Sequence, residues 1–143
     1  GLEISAQGDL YVDAHHTVED VGIVLGQALA QALGDKAGIA RFGAAFVPMD
    51  ESLSRVVLDI SSRPYLVYNA VMPQERIGDY DSCLTEEFFR ALAVHGGLTL
   101  HAAGLYGSNA HHLTEAMFKA LGLALKQAVA VTGQGATSTK GVL

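Results

Sequence analysis

Ala110-His111-His112-Leu113-Thr114-Glu115 stands at the mouth of a long helical pattern, and Ala14-His15-His16-Thr17-Val18-Glu19 opens an earlier one. In an α-helix, positions i and i+4 share a face, so His15 works with Glu19 and His111 with Glu115. At ~3.6 residues per turn the second histidine of each pair, His16 or His112, points about 100° away and would serve a different ion. Two motifs thus offer two metals crossed ligation. Imidazole and carboxylate without thiolate suit Mn²⁺, Fe²⁺ or Zn²⁺, and open positions around such ions leave room for a substrate.

One His-His pair at a helix start is ordinarily a capping or surface feature. Here the motif is part of a longer match. At a constant offset of 96 positions, His15 falling on His111, residues 1–33 align without a gap with residues 97–129, and 14 of the 33 positions are identical. This is an internal duplication. Between its copies Thr17 became Leu113 and Val18 became Thr114, while His, His and Glu stayed. Ligand-type residues that persist while their neighbours drift point to metal.

The elements that must position these residues follow from periodicity. Residues 2–6 alternate like a strand, and Gly8-Asp9 turns the chain. Asp13 and its repeat partner Asn109 are the expected N-caps. A helix is predicted over 14–33, with Val21, Val24, Leu25, Ala28, Leu29 and Leu33 as its core face, ended by Gly34. Strands are predicted over 39–48, 53–60 and 64–68, with a loop over 48–52. A second helix spans 84–95, burying Leu84, Phe88, Ala91 and Leu92, and Gly96-Gly97 stops it. Residues 98–101 repeat the first strand, and the second motif helix runs from 110 to about 131. The fold class is α+β: two duplicated half-domains, each a sheet with helices on one face, in one domain over 1–143.

The chain has 143 residues, half of them hydrophobic and 17% charged, which suits a globular domain with a sizeable core. A net charge of −6 with no basic run argues against nucleic acid. The single cysteine, Cys83, allows no intrachain disulfide and fits a reducing compartment. No apolar run reaches the ~18 residues of a membrane span. Arg41 and Arg63 are either solvated edge charges or anion ligands. Ser138-Thr139-Lys140 lies between glycines near the end and reads equally as a frayed tail or as a phosphate grip of hydroxyls, amides and an ammonium.

The segments Asp13-Ala14-His15-His16-Thr17-Val18-Glu19-Asp20, Ser62-Arg63-Pro64-Tyr65-Leu66, Glu87-Phe88-Phe89-Arg90-Ala91-Leu92, Asn109-Ala110-His111-His112-Leu113-Thr114-Glu115-Ala116 and Ser138-Thr139-Lys140-Gly141-Val142-Leu143 resemble imidazoleglycerol-phosphate dehydratases over essentially the whole chain. The resemblance implies a ribosomal S5 domain 2-like fold and a cytoplasmic lyase of histidine biosynthesis. Such an enzyme dehydrates imidazole glycerol phosphate to imidazole acetol phosphate with two Mn²⁺ per active site. It also implies homo-oligomers: trimers building a 24-subunit shell, with sites at subunit contacts. By the same resemblance His15, His16, Glu19, His111, His112 and Glu115 are metal ligands, and Glu19 and Glu115 are catalytic as well. Glu87 stands where some members place a ligand histidine. Arg41, Arg63, Lys119, Ser138, Thr139 and Lys140 would contact the substrate, chiefly its phosphate. The family's first ligand segment, Asp-His-Met-Leu, has no match in this sequence, so an N-terminal extension with at least two strands and a histidine-bearing helix is expected.

The chemistry explains a metal pair. The proton lost in this reaction is not acidified by an adjacent carbonyl, so the imidazole ring must relay electrons. An imidazolate between two cations could expel hydroxide from the attached carbon. Two other readings use the same ligands: a metal-binding shell protein without turnover, and a dinuclear metal phosphohydrolase.

Overall fold

The computed structural model describes residues 1–133. In chain order the elements are α1 (His15–Leu33), β1 (Phe42–Met49), β2 (Ser52–Asp59), β3 (Tyr65–Asn69), β4 (Arg76–Ile77), β5 (Tyr80–Asp81), α2 (Leu84–Gly96), β6 (Thr99–Tyr106) and α3 (Ala110–Ala128). A four-stranded mixed sheet, ordered β1-β2-β6-β3, occupies the centre. β1, β2 and β6 are antiparallel neighbours, and β3 runs parallel to β6.

The register lines up one apolar face. Ala45, Val56, Ala102 and Tyr68 form one row across the four strands; Gly43, Leu58, Leu100 and Leu66 form the next. Helices α2 and α3 cover this face, and Val56, Leu58, Leu100 and Ala102 are buried beneath them. The opposite face, with Phe42, Phe46 and Tyr65, is exposed. At Gly43 a side chain is excluded, since an added Cβ would lie 1.9 Å from the Ala124 carbonyl oxygen of α3. Phe88, Phe89 and Phe118 join α2 to α3 with ring centroids 5.0–6.0 Å apart.

α1 packs chiefly along α2. The contact runs through glycines: a Cβ on Gly22 would meet Ala91 and the Phe88 carbonyl at 2.9 Å, and one on Gly26 would meet the Gly96 nitrogen at 2.8 Å. These are also the only buried residues of α1. Since Gly22 lies against Phe88 and Gly26 against Gly96, the two helices run in the same direction.

Several expectations need correction. Residues 2–6 form no strand, because a strand is defined by its ladder and no strand flanks them among the described residues; the matching β6 lies between β2 and β3. The α+β class holds: among the described residues the sheet-and-helix unit is seen once, with α1 laid against it. The core face of α1 is incomplete: Val24 is 62% exposed and Ala28 is exposed as well. The N-cap of α1 is Ala14, with no side-chain cap; Asp13 accepts only from the His15 nitrogen, at 2.9 Å. Ile39 makes an isolated bridge to Val131 and lies outside β1. The predicted 48–52 loop shrinks to the tip Asp50-Glu51, because pairing continues to Met49 and Ser52. The short hairpin β4-β5 was not anticipated, and α3 stops at Ala128.

Candidate active site

The two motif helices begin at the same end of the molecule. Thr17 and Val18 of α1 and His111, Thr114 and Glu115 of α3 line one cleft of about 510 Å³, whose walls include Val21, Phe88 and Phe118. On α1 the His15 Nε2 lies 3.9 Å from Glu19 Oε2; on α3 the His111 Nε2 lies 2.9 Å from Glu115 Oε2. Helical i,i+4 spacing thus pairs imidazole with carboxylate in both copies, as the sequence predicts. Glu115 also receives Lys119 Nζ at 2.7 Å. Lys119, and after it His111, hold the Glu115 carboxyl below its ordinary range.

The second histidine of α3 turns to another partner. His112 Nδ1 is 2.8 Å from Glu51 Oε2, and its Nε2 is 3.6 Å from Asp50 Oδ2. Both carboxylates sit at the tip of the β1-β2 hairpin. The Glu51 Oε1 accepts from the backbone nitrogens of Ser108 and Asn109 at 3.0 and 2.9 Å, and from the Ser52 hydroxyl at 2.9 Å. The bond to His112 first, then that from Ser52, pull the Glu51 carboxyl down to about 2. The bond to Glu51, with the charges of Glu51, Asp50 and Glu115, raises His112 above its ordinary value.

The first turn of α3 is further fixed by Asn109, whose side chain accepts from the nitrogens of His111 and His112 at 2.9 and 3.3 Å. Gln74 completes it, accepting from the Ala110 nitrogen at 2.7 Å and donating to the Ser108 carbonyl at 2.9 Å. Asn109 was foreseeable from capping preference. Glu51, Asp50 and Gln74 were not, because they lie far from the motif in sequence and reach it only through the β1-β2 hairpin and the β3–β4 connection.

Of the anion-binding candidates, Lys119 lies beside Glu115 at the histidine end, whereas Arg41 and Arg63 lie at the other end of the sheet. Arg41 precedes β1 and grips Asp59 with Nε to Oδ1 at 2.6 Å and a second nitrogen to Oδ2 at 3.0 Å; Asp59 raises its pKa. Its guanidinium also lies 4.8 Å from the Phe42 ring centroid. Arg63 has an exposed side chain, and its carbonyl accepts from the Thr99 hydroxyl at 2.9 Å, where β6 begins. Beside it Lys36 donates to the Ser62 hydroxyl. β6 has eight residues between this end and the start of α3, which at ~3.3 Å per residue is about 25 Å. Glu87 lies in the first turn of α2, 4.0 Å from Arg90. Among the described residues of one chain, no group of three or more His, Cys, Asp or Glu gathers for a metal ion. Ser138, Thr139 and Lys140 lie outside the described residues.

No helix among the described residues is long and apolar enough to cross a membrane. The family model for imidazoleglycerol-phosphate dehydratase matches residues 1–125. The imidazoleglycerol-phosphate dehydratase of Lacticaseibacillus casei (strain BL23) is 59% identical, covering 100% of this chain and 75% of that protein. The Acetivibrio thermocellus enzyme of the same name is 58% identical over 99% of this chain and 74% of its own. A crystal structure of imidazoleglycerol-phosphate dehydratase from Staphylococcus aureus superposes with a TM-score of 0.84 at 48% identity, over 90% of this chain and 72% of that one. The Pyrococcus furiosus structure gives 0.81 at 43% identity, over 90% and 71%. A doubled His-His-x-x-Glu motif on two helices beginning at one end, within a fold and a sequence shared with these relatives, makes this chain a member of the imidazoleglycerol-phosphate dehydratase family of enzymes.

Proposed function

We propose that this chain dehydrates imidazole glycerol phosphate to imidazole acetol phosphate, a lyase step of histidine biosynthesis in the cytoplasm, using two Mn²⁺ per active site. The observation that carries the reading is the connected row on α3: His111, Glu115 and Lys119, linked at 2.9 and 2.7 Å. An imidazole and a carboxylate side by side are a donor set suited to Mn²⁺, and α1 repeats it with His15 and Glu19. His15, His16, His111, His112, Glu19 and Glu115 would hold the ions, with Glu87 a further carboxylate donor. When bound, the ions supply Lewis acidity toward the substrate imidazole. Glu115, kept ionised beside Lys119 and His111, is a carboxylate able to take up the proton lost in elimination, and Glu19 is its counterpart on α1. Lys119 and Arg63 are cations for the substrate phosphate, joined by Ser138, Thr139 and Lys140. Arg41, locked onto Asp59, orders the same end of the sheet.

The separation of about 25 Å along β6 supports a composite site. No side chain spans it, so the arginine end of one copy would serve the histidine end of another, as in trimers assembled into a 24-subunit shell. The test is to incubate the purified chain and Mn²⁺ with imidazole glycerol phosphate and follow the products by mass. Loss of one water with the phosphate retained is the expected result. Release of inorganic phosphate would instead indicate a phosphohydrolase, and an unchanged substrate beside bound Mn²⁺ would indicate a protein that holds metal without turnover.

A further inference from the structure

We propose that Glu51, at the tip of the β1-β2 hairpin, is the positioning residue for His112: its carboxylate holds the imidazole proton on Nδ1 and leaves Nε2 as the ligand nitrogen. The inference rests on the reading of His112 as a metal ligand and goes beyond it. A metal-binding histidine needs one nitrogen free of its proton, and the hydrogen bond made by the other nitrogen decides which.

The geometry is specific. The two carboxylate oxygens of Glu51 do different work. Oε1 is consumed by the nitrogens of Ser108 and Asn109 and by the hydroxyls of Ser52 and Ser108, at 2.9–3.3 Å. Those bonds fix the carboxylate against the chain that enters α3. Oε2 is thereby aimed at His112 Nδ1, 2.8 Å away. A carboxylate only accepts, so a neutral His112 must donate from Nδ1. The backbone of the same histidine is pinned by Asn109, so the ring has both its root and one edge fixed. His111 has no such arrangement; its Nε2 faces Glu115 on its own helix.

Glu51→Gln separates holding the loop from setting the tautomer. Its amide oxygen can keep the bonds from Ser108 and Asn109. Its amide nitrogen then faces Nδ1 and donates, which drives the proton to Nε2. The measurement is nitrogen NMR of the histidine side chains in metal-free protein, well above the imidazolium range, with a Mn²⁺ titration read by electron paramagnetic resonance and a melting curve for each variant. The expected result is an Nδ1–H tautomer at His112 in the wild type and an Nε2–H tautomer in Glu51→Gln, with Mn²⁺ affinity weakened about ten- to a hundred-fold and folding retained. His112→Ala, run beside it, should abolish one Mn²⁺ site. If His112→Ala leaves Mn²⁺ stoichiometry intact, the ligand reading of His112 fails. If His112→Ala loses a site while Glu51→Gln keeps wild-type affinity, the positioning role is overturned alone. Should Glu51→Gln fail to fold, an Nε2–H tautomer in the wild-type protein would overturn the proposal by itself.

Discussion

α1 and α3 carry the two copies of a sequence match identical at 14 of 33 aligned positions and hold their motifs at the same helical spacing, yet the molecule treats them differently. α3 lies on the sheet and buries Leu113, Ala116, Met117, Ala120, Leu121, Ala124 and Ala128. α1 lies on another helix and buries only Gly22 and Gly26. The start of α3 is tied down by hydrogen bonds to Glu51, Asn109 and Gln74, whereas the start of α1 has, among the described residues, one side-chain hydrogen bond, from the His15 nitrogen to Asp13. The chemistry of a motif is therefore written locally, in the i,i+4 spacing, but the precision with which it is held comes from distant segments. In the described residues the α3 copy is bonded to the β1-β2 hairpin and to Gln74, and the α1 copy is not.

Matched positions of the repeat give the sharpest ways to break this contrast. The largest effect is expected at Leu121 and Leu25, the same residue at the same repeat position. Leu121 is 5% exposed in the core, so Leu121→Ala should cost about 2–5 kcal/mol in this chain. Leu25 is only partly buried, and Leu25→Ala should cost less than about half as much. Urea denaturation of both variants decides it, and equal losses would mean that α1 is as fully packed as α3.

The next pair should differ in sign. Gly26→Ala pushes a methyl to 2.8 Å from the Gly96 nitrogen, backbone that cannot yield cheaply, and should destabilise by about 1–3 kcal/mol. Gly122→Ala, its counterpart on α3, meets nothing within 4 Å and should stabilise by about 0.5–1 kcal/mol through helix propensity. Melting temperatures that move in the same direction would contradict the close contact of α1 and α2.

Caps come next. Asn109→Ala removes two accepted bonds and should cost about 0.5–2 kcal/mol. Asp13→Ala removes one bond outside the true N-cap position and should cost less, measured in the same denaturation series.

The smallest effect is on pH dependence. The folded-state pKa of Glu51 is depressed to about 2, so its contribution is present above the ordinary value of 4.5 and is lost as pH falls toward about 2. That of His112 is raised, so its contribution is complete below the ordinary value of 6.5 and is lost as pH rises through the raised value. The contact thus stabilises most between 4.5 and 6.5, and the melting-temperature gap between wild type and Glu51→Gln should be widest there and narrow on both sides. A gap independent of pH would assign Glu51 a role without the imidazolium.

What the sequence made legible was whatever a short window decides. Gly34 and Gly97 end α1 and α2 at positive φ, Asn109 caps α3, and alternation located β1 and β2 to within a few residues. The His–Glu pairs followed from helical spacing alone. What failed depended on partners. Residues 2–6 alternate like a strand but find no ladder, and Val24, on the apolar stripe of α1, stays 62% exposed. Glu51 was invisible because 61 residues separate it from His112, and only the hairpin brings them together. The remoteness of Arg63 from His112 was equally hidden, since it depends on which end of β6 each adjoins.

That remoteness is the point on which the proposed site stands. Co-expressing His112→Ala chains with Arg63→Ala chains, each variant assembled but inactive alone, and assaying the purified mixture for dehydration of imidazole glycerol phosphate tests it most directly. A site shared between copies predicts that the mixture regains activity, because some sites combine an intact histidine end with an intact arginine end. A mixture as inactive as its components would contradict the account, and would return the whole site to a single chain.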